Sequence, residues 1–408
     1  MSPTRVYYLM KGATWLCFMT AFSLGAIYRI RWADLGPLEL VLVGTALELA
    51  IFLCEIPTGV VADVRGRKLS MVLGFVVLGS GFVLEVSWPS FGMSLVAQVV
   101  VGVGFTLISG AEDAWLADEI GEERLASVMQ RGNQIQQGAS LLGIAVAVVC
   151  TGVSLRLPFV VAGVGLVVLA LWLLRVMPEE GFVPKPASER ETWGDLAETL
   201  AQGLRTTRRR PLLGTLMLIT LCYGLSSEGL DRLWEAHLIG SFTLPSVGLS
   251  DVMWIGGIHA VAMLGTLGLS EVLRRRADAF GHRAMVLLLT IESVVMVLGL
   301  VAFALTGRFA VAVAAYLVVY VVRHCGQPLR IAWINRGLES RVRATVLSTV
   351  NQMDAFGQLA GGPLVGGVGN LLGLRAALVA VAGLLTPVWG LYARALGQGP
   401  ETQSEGDE

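Results

Sequence analysis

The sequence predicts an all-α integral membrane protein of about twelve spans, arranged as two related six-helix halves. Three observations carry that prediction. Of 408 residues, 54% are hydrophobic and only 15% charged, with a mean hydropathy of +0.69, whereas about 25% of residues in soluble domains are charged. The apolar residues fall into runs that meet the roughly 20 residues needed to cross a hydrocarbon core. Features of the first six runs then recur in the second six.

Taken in order, the spans are expected at about 6–29, 38–62, 70–88, 92–116, 128–153, 156–177, 211–238, 250–274, 284–305, 309–334, 344–368 and 371–396. The first run is too long for a signal-peptide core and is followed by more spans, so it should remain as the first helix. The one long polar interruption is "PEEGFVPKPASERETWGDLAETLAQGLRTTRRR", Pro178 to Arg210, which divides the spans six and six. Within it Trp193, Leu196, Ala197, Leu200 and Leu204 recur at helical spacing, which predicts a short amphipathic helix under the bundle or along the inner membrane face. The tail "GQGPETQSEGDE" is acidic and Gly-rich and is expected to be disordered. The resulting division is an N-terminal half (1–177), a cytoplasmic central loop (178–210), a C-terminal half (211–396) and a tail (397–408).

Orientation follows from the basic residues, since cytoplasmic loops hold the excess of Lys and Arg. With both termini inside, the inner segments hold Arg65, Arg67, Lys68, Arg124, the Arg208–Arg210 and Arg274–Arg276 runs, Arg283, Arg336, Arg341 and Arg343. The outer loops keep only Arg29, Arg31, Arg156, Arg308 and Arg375. Both termini are therefore expected in the cytoplasm, with the chain in the cell's inner membrane.

Several function classes are disfavoured. A net charge of −1 and only three lysines, Lys11, Lys68 and Lys185, give no basic face for nucleic acid. No lysine precedes Ser or Thr, so there is no phosphate-binding loop of an ATP-driven pump, and neither H-E-x-x-H nor G-x-S-x-G occurs. Cys17, Cys54, Cys150, Cys222 and Cys325 lie in apolar runs without metal-ligand spacing and are read as small buried hydrophobes. An enzyme, a cofactor and a metal site are not expected.

The repeat is visible where "WLADEIGEERLASVMQRGNQ" from Trp115 is set against "WINRGLESRVRATVLSTVNQ" from Trp333. Trp115, Ala126, Val128, Asn133 and Gln134 match Trp333, Ala344, Val346, Asn351 and Gln352 without a gap. "ADVRGRK", Ala62 to Lys68, likewise has its counterpart in "ADAFGHR", Ala277 to Arg283. Related halves of six helices mark a secondary transporter with its site between them near mid-membrane.

"GVVADVRGRK" resembles the signature loop between helices 2 and 3 of the major facilitator superfamily, roughly G-x-x-x-D-x-x-G-R-[KR], at Gly59, Asp63, Gly66, Arg67 and Lys68. The glycines suit a tight turn between helix ends, and Arg67 and Lys68 suit a cytoplasmic anchor. The resemblance implies that Asp63 meets the N-terminal end of helix 11 in the outward-facing state and pairs with the arginine, forming a conformational switch. Asp118 is the expected further partner of Arg67. "EIPTGVVAD" and "SGAEDAWLADEIGEER" look like bacterial drug and small-molecule exporters of that superfamily. Two departures stand against simple drug–proton antiport: Gln98 occupies the place of a helix 4 arginine, and helix 5 lacks the Gly-Pro motif. "GQLAGGPLVGG" on helix 11 suits close helix packing.

Ionisable groups inside spans cost about 2.5–3.5 kcal/mol each on insertion scales and are hypotheses about function by default. Glu48, Glu55, Glu112 and Asp113 have no obvious basic partner in neighbouring spans, and an unpaired buried carboxylate can hold a proton near neutral pH. They are the candidates for proton coupling. Glu228, Asp231 and Glu235 form a stripe on helix 7, and Arg323, Gln327 and Arg330 one on helix 10. These stripes either pair across the C-terminal half or leave Arg323 to bind an anion. Glu292, Asp354, His259 and His324 stand singly. Substrate-binding candidates are Trp15, Asn133, Gln137, Glu228, Asp231, Arg323, Gln327 and Asp354. Trp15, Phe18, Phe22, Trp115 and Trp254 could line a cavity for a lipophilic cation.

The expected function is proton-coupled secondary transport, with export of small organic molecules or drugs by rocking of the halves. The partners would be a small-molecule substrate, protons and the lipid bilayer, and the working unit a monomer. Two alternatives remain: proton-coupled uptake of an anionic metabolite or oxyanion through Arg323 and Arg330, and a non-transporting receptor with the same fold.

Overall fold

A computed structural model describes residues 1–186, 192–195, 197, 198, 201, 211–245, 248–274, 280–336 and 340–397. The secondary structure assigned within them is helical. In chain order the helices are α1 (Pro3–Arg31), α2 (Pro37–Arg65), α3 (Arg67–Glu85), α4 (Phe91–Ile120), α5 (Glu122–Thr151), α6 (Leu157–Val176), α7 (Pro211–Ser241), α8 (Asp251–Arg274), α9 (His282–Leu305), α10 (Phe309–Arg336), α11 (Ser340–Leu372) and α12 (Leu374–Leu396). Two of them are broken: α1 into Pro3–Phe22 and Gly25–Arg31, and α12 into Leu374–Leu385 and Pro387–Leu396, where Pro387 cannot continue the hydrogen-bond ladder.

Eleven helices among the described residues are long and apolar enough to cross a membrane. The remaining one, α11, has 33 residues but carries Asn351, Gln352, Asp354 and Gln358 through its middle. Helices run past the expected spans at charged ends, as at Glu122 and Ser340, because hydropathy marks the hydrocarbon and not the helix. Large aliphatic side chains such as Val149, Leu171, Leu298 and Leu364 are exposed, which suits a surface covered by lipid tails.

The chain divides into two compact units, Met1–Trp193 with Val247–Gly256, and Gly194–Ser246 with Gly257–Glu408. The first holds α1–α6 around Tyr7, Tyr28, Phe75, Phe82 and Trp115. Its seams are close because they are lined with glycine: a Cβ on Gly74 would lie 2.9 Å from the Gly104 carbonyl, and one on Gly79 would lie 2.5 Å from that of Gly163. In the second unit, α7 and α11 touch backbone to backbone at Gly224, Gly357 and Gly361, and Trp234 stacks on Tyr316 at 4.2 Å.

Several expectations need correction. Arg29 is not in an outer loop but buried on the second piece of α1. Cys54, Cys150 and Cys222 are half-buried, whereas Cys17 and Cys325 are buried. Of the amphipathic stretch, the Trp193 ring lies 6.2 Å from Phe52, while Leu196, Leu200 and Leu204 fall outside the described residues. So do the Arg208–Arg210 run, Arg275, Arg276, Asp278, the side chains of Arg336, Arg341 and Arg343, and the tail from residue 398.

Candidate functional site

The signature loop is a one-residue turn. Gly66 joins α2 to α3 at φ 109°, a left-handed value that a side chain resists, and a Cβ there would also lie 2.9 Å from the Glu179 carboxylate. Gly59 lies within α2 with open space around it, so the tight-turn argument applies to Gly66 and not to Gly59. Arg67 forms an ion pair with Asp63 one turn earlier, and its Nε lies 3.7 Å from Asp118.

Residues just past α6 complete this cluster, and sequence reasoning had not placed them there. Lys185 reaches the Asp63 carboxylate at 3.1 Å, and its amide donates to the Asp63 carbonyl at 3.1 Å. Glu179 accepts from the Lys68 amide at 2.7 Å, and Lys68 Nζ donates to Met177 O at 2.8 Å. Glu119 accepts from the amides of Glu180 and Gly181, while Trp115 Nε1 donates to Pro178 O at 2.8 Å. Residues 178–185 thus form a strap across α2, α3 and the end of α4.

The membrane acids of this unit are not left alone. Lys11 on α1 meets Glu112 on α4 at 2.7 Å, so Glu112 has a basic partner after all, one that lay 101 residues away in sequence. Asp113, one position on, is exposed. Glu48 and Glu55 also have interaction partners, and Glu55 is exposed. Trp15 stands against Phe18 at 5.5 Å, with Phe22 stacked beyond it at 5.0 Å. Asn133 is exposed and Gln137 half-buried on α5.

The second unit holds a cavity of about 200 Å³. Three helices line it with residues spaced three, four or seven apart, which puts each set on one face: Thr220, Tyr223 and Ser227 from α7; Arg323, Gln327 and Arg330 from α10; Asn351, Asp354 and Gln358 from α11. Arg323 makes a two-pronged pair with Asp231 at 2.6 and 2.8 Å. Arg330 donates to Glu292 of α9 at 2.9 Å and stacks on the Tyr223 ring at 3.8 Å, while the Tyr223 hydroxyl also bonds Glu292. His324, also in the lining, stacks on Tyr320 at 4.0 Å.

Of the substrate candidates, the structure brings Arg323, Gln327 and Asp354 into this wall with Asp231 behind Arg323. Glu228 pairs instead with Arg232 at 2.7 Å, and Trp15, Asn133 and Gln137 belong to the other unit. Thr220, Tyr223, Ser227 and Gln358 were missed. The signal for the first three was the spacing itself, on a face of α7 next to the more conspicuous acidic stripe, and for Gln358 its place one turn beyond Asp354 on α11.

A family model described as Major Facilitator Superfamily matches residues 12–362. An uncharacterized MFS-type transporter, YxaM of Bacillus subtilis (strain 168), is 21% identical over 368 residues, which are 87% of each chain. Among solved structures, the nucleoside transporter NupG matches with a TM-score of 0.78 at 11% identity, over 97% of this chain and 99% of its own. A bacterial homologue of the human lysosomal transporter Spinster, inward-facing and unoccupied, matches at 0.74 and 14% identity, over 99% and 98%. At such identities these structures speak for the fold alone.

Proposed function

Because the chain belongs to the Major Facilitator Superfamily, we propose that it is a proton-coupled secondary transporter that exports small organic molecules by alternating access. The proposal places it in the cell's inner membrane as a working monomer, with both termini cytoplasmic and the C-terminal-unit cavity in its substrate path. One observation carries the coupling: around that cavity the guanidinium groups of Arg323 and Arg330 face three carboxylates, Asp231, Glu292 and Asp354. Counted with Asp231 and Glu292, which stand behind the lining as partners of the two arginines, the cluster has three carboxylates against two guanidinium groups and the His324 imidazole, and a proton or a cationic substrate supplies positive charge there.

Glu112 and Asp113, with Glu48 and Glu55 behind them, are the proposed proton carriers of the first unit. A proton on Glu112 would release Lys11 and loosen α1 from α4, which ties protonation to helix packing. Asp63, Arg67, Lys68 and Asp118, turned by Gly66, are proposed as the switch that alternating access makes and breaks.

Internal pH of proteoliposomes tests the reading while organic cations, then small anions, are added outside. Proton release from acid-loaded vesicles on adding a cation supports export by exchange. Inward movement of protons only with an anion supports uptake instead, with Arg323 or Arg330 as the counter-charge. Full proton-driven activity in both Glu112→Gln and Asp113→Asn would remove those two acids from the mechanism.

A further inference from the structure

We propose that Asp354 is the residue at which a proton and the cationic group of the transported molecule exclude one another. The proposal rests on the export reading above and assigns it to one atom group. Two of the three carboxylates around the cavity are already committed. Asp231 takes both Nη groups of Arg323, and Glu292 takes Arg330 Nη1 and the Tyr223 hydroxyl. Asp354 takes a neutral amide, Gln358 Nε2, at 2.8 Å one turn further along α11. No lysine or arginine among the described residues forms an ion pair with it.

The groups that share the cavity with Asp354 make it the acceptor of an arriving charge. From α7 come Tyr223, Thr220 and Ser227, with Asp231 behind; from α9, Glu292; from α10, Arg323, His324, Gln327 and Arg330. From α12, Tyr392 stands behind the lining, against Tyr223 and Arg330. The hydroxyls and amides can bind a polar ligand but cannot neutralise a carboxylate. Arg323 and Arg330 lie near enough to attract Asp354, but the hydrogen bonds they make go to Asp231 and Glu292, and the His324 ring is engaged with the Tyr320 carbonyl.

Ligand size follows from the cavity. About 200 Å³ is below the roughly 300–1,000 Å³ of sites for drug-sized molecules, and most of its lining is polar. A small hydrophilic organic amine fits this wall better than a bulky lipophilic cation. The position is also rigidly held, since a Cβ on Gly224 of α7 would overlap the backbone carbonyl of Asp354. A change of charge at Asp354 is therefore delivered directly to the α7–α11 contact.

The test uses the purified full-length transporter in weakly buffered detergent, with choline, agmatine and tetramethylammonium as cation probes and a pH indicator as readout. Wild type and Asp354→Glu should release about one proton per transporter when a probe binds, and Asp354→Asn should release none. Release from Asp354→Asn equal to wild type overturns the assignment to Asp354 and leaves the export reading standing. No release from wild type with any probe overturns the cation–proton exclusion itself, while the vesicle assay still judges export of other compounds. A pH-jump infrared difference spectrum needs no ligand. A protonated-carboxyl band lost in Asp354→Asn supports the proposal, and an unchanged set of bands overturns it. A merely structural Asp354 would lower thermal stability on substitution and leave both proton readouts unmoved.

Discussion

Glu85 has no exposure at all, yet it carries a full hydrogen-bond shell. Arg29 Nε donates to it at 2.9 Å, Ser94 Oγ at 2.8 Å and Gln98 Nε2 at 3.0 Å. The cluster explains Gln98: its amide supports a carboxylate whose positive charge arrives from α1. Breaking a buried pair strands the other charge, which costs about 3–5 kcal/mol. Glu85→Ala should therefore lose about that much stability in thermal or denaturant unfolding in detergent, and Gln98→Ala only about 0.5–1.5 kcal/mol. The sequence showed Gln98 as an oddity and Arg29 as a loop residue. Nothing local could join them, because Arg29 and Glu85 are 56 positions apart. The same holds for Lys11 and Glu112, whereas the helix 7 and helix 10 stripes were legible because each repeats on a single face.

At the level of elements, the small-residue run of α11 was readable as a packing surface, but its partner was not. The partner is α7. A Cβ on Gly361 would overlap the carbonyl, carbon and Cα of Leu225, all backbone atoms that cannot swing aside. Gly367, on the same helix, has nothing within 4 Å. Gly361→Ala should force the two helices apart and lower stability by about 1–3 kcal/mol. Gly367→Ala should be neutral or stabilising by about 0.4–1 kcal/mol. Melting temperatures of the two purified variants compare them directly, and equal values would dismiss the backbone contact as a determinant. Eleven of the expected spans were legible as long apolar helices, and the twelfth, α11, is a helix without that apolar run. Hydropathy reports lipid-facing surface, and α11 spends its middle on Asn351, Gln352, Asp354 and Gln358.

For the whole molecule, the chain divides into two compact units, and the matched Trp115 and Trp333 segments lie one in each. Both indoles are buried and both donate, Trp115 to Pro178 O and Trp333 to His282 Nδ1 at 3.2 Å. The strap was not legible, since it depends on backbone amides that no side-chain pattern encodes. Lys185→Gln removes its ion pair with Asp63, and Glu119→Ala removes the acceptor for two of its amides. Hydrogen–deuterium exchange over residues 178–186 should accelerate in both, roughly tenfold for a loss of about 1.4 kcal/mol in local opening. Unchanged exchange would show that the strap is held by other means.

The strap also decides where this polypeptide could be divided. Its bonds run to α2, α3 and α4, all within the first unit, although in sequence it opens the connection to the second. A gene interrupted after codon 186 would send the strap out with the surfaces it covers. One interrupted after codon 177 would append it to the wrong fragment. Co-expressed pieces should complement one another from the first break point and do so poorly, or not at all, from the second.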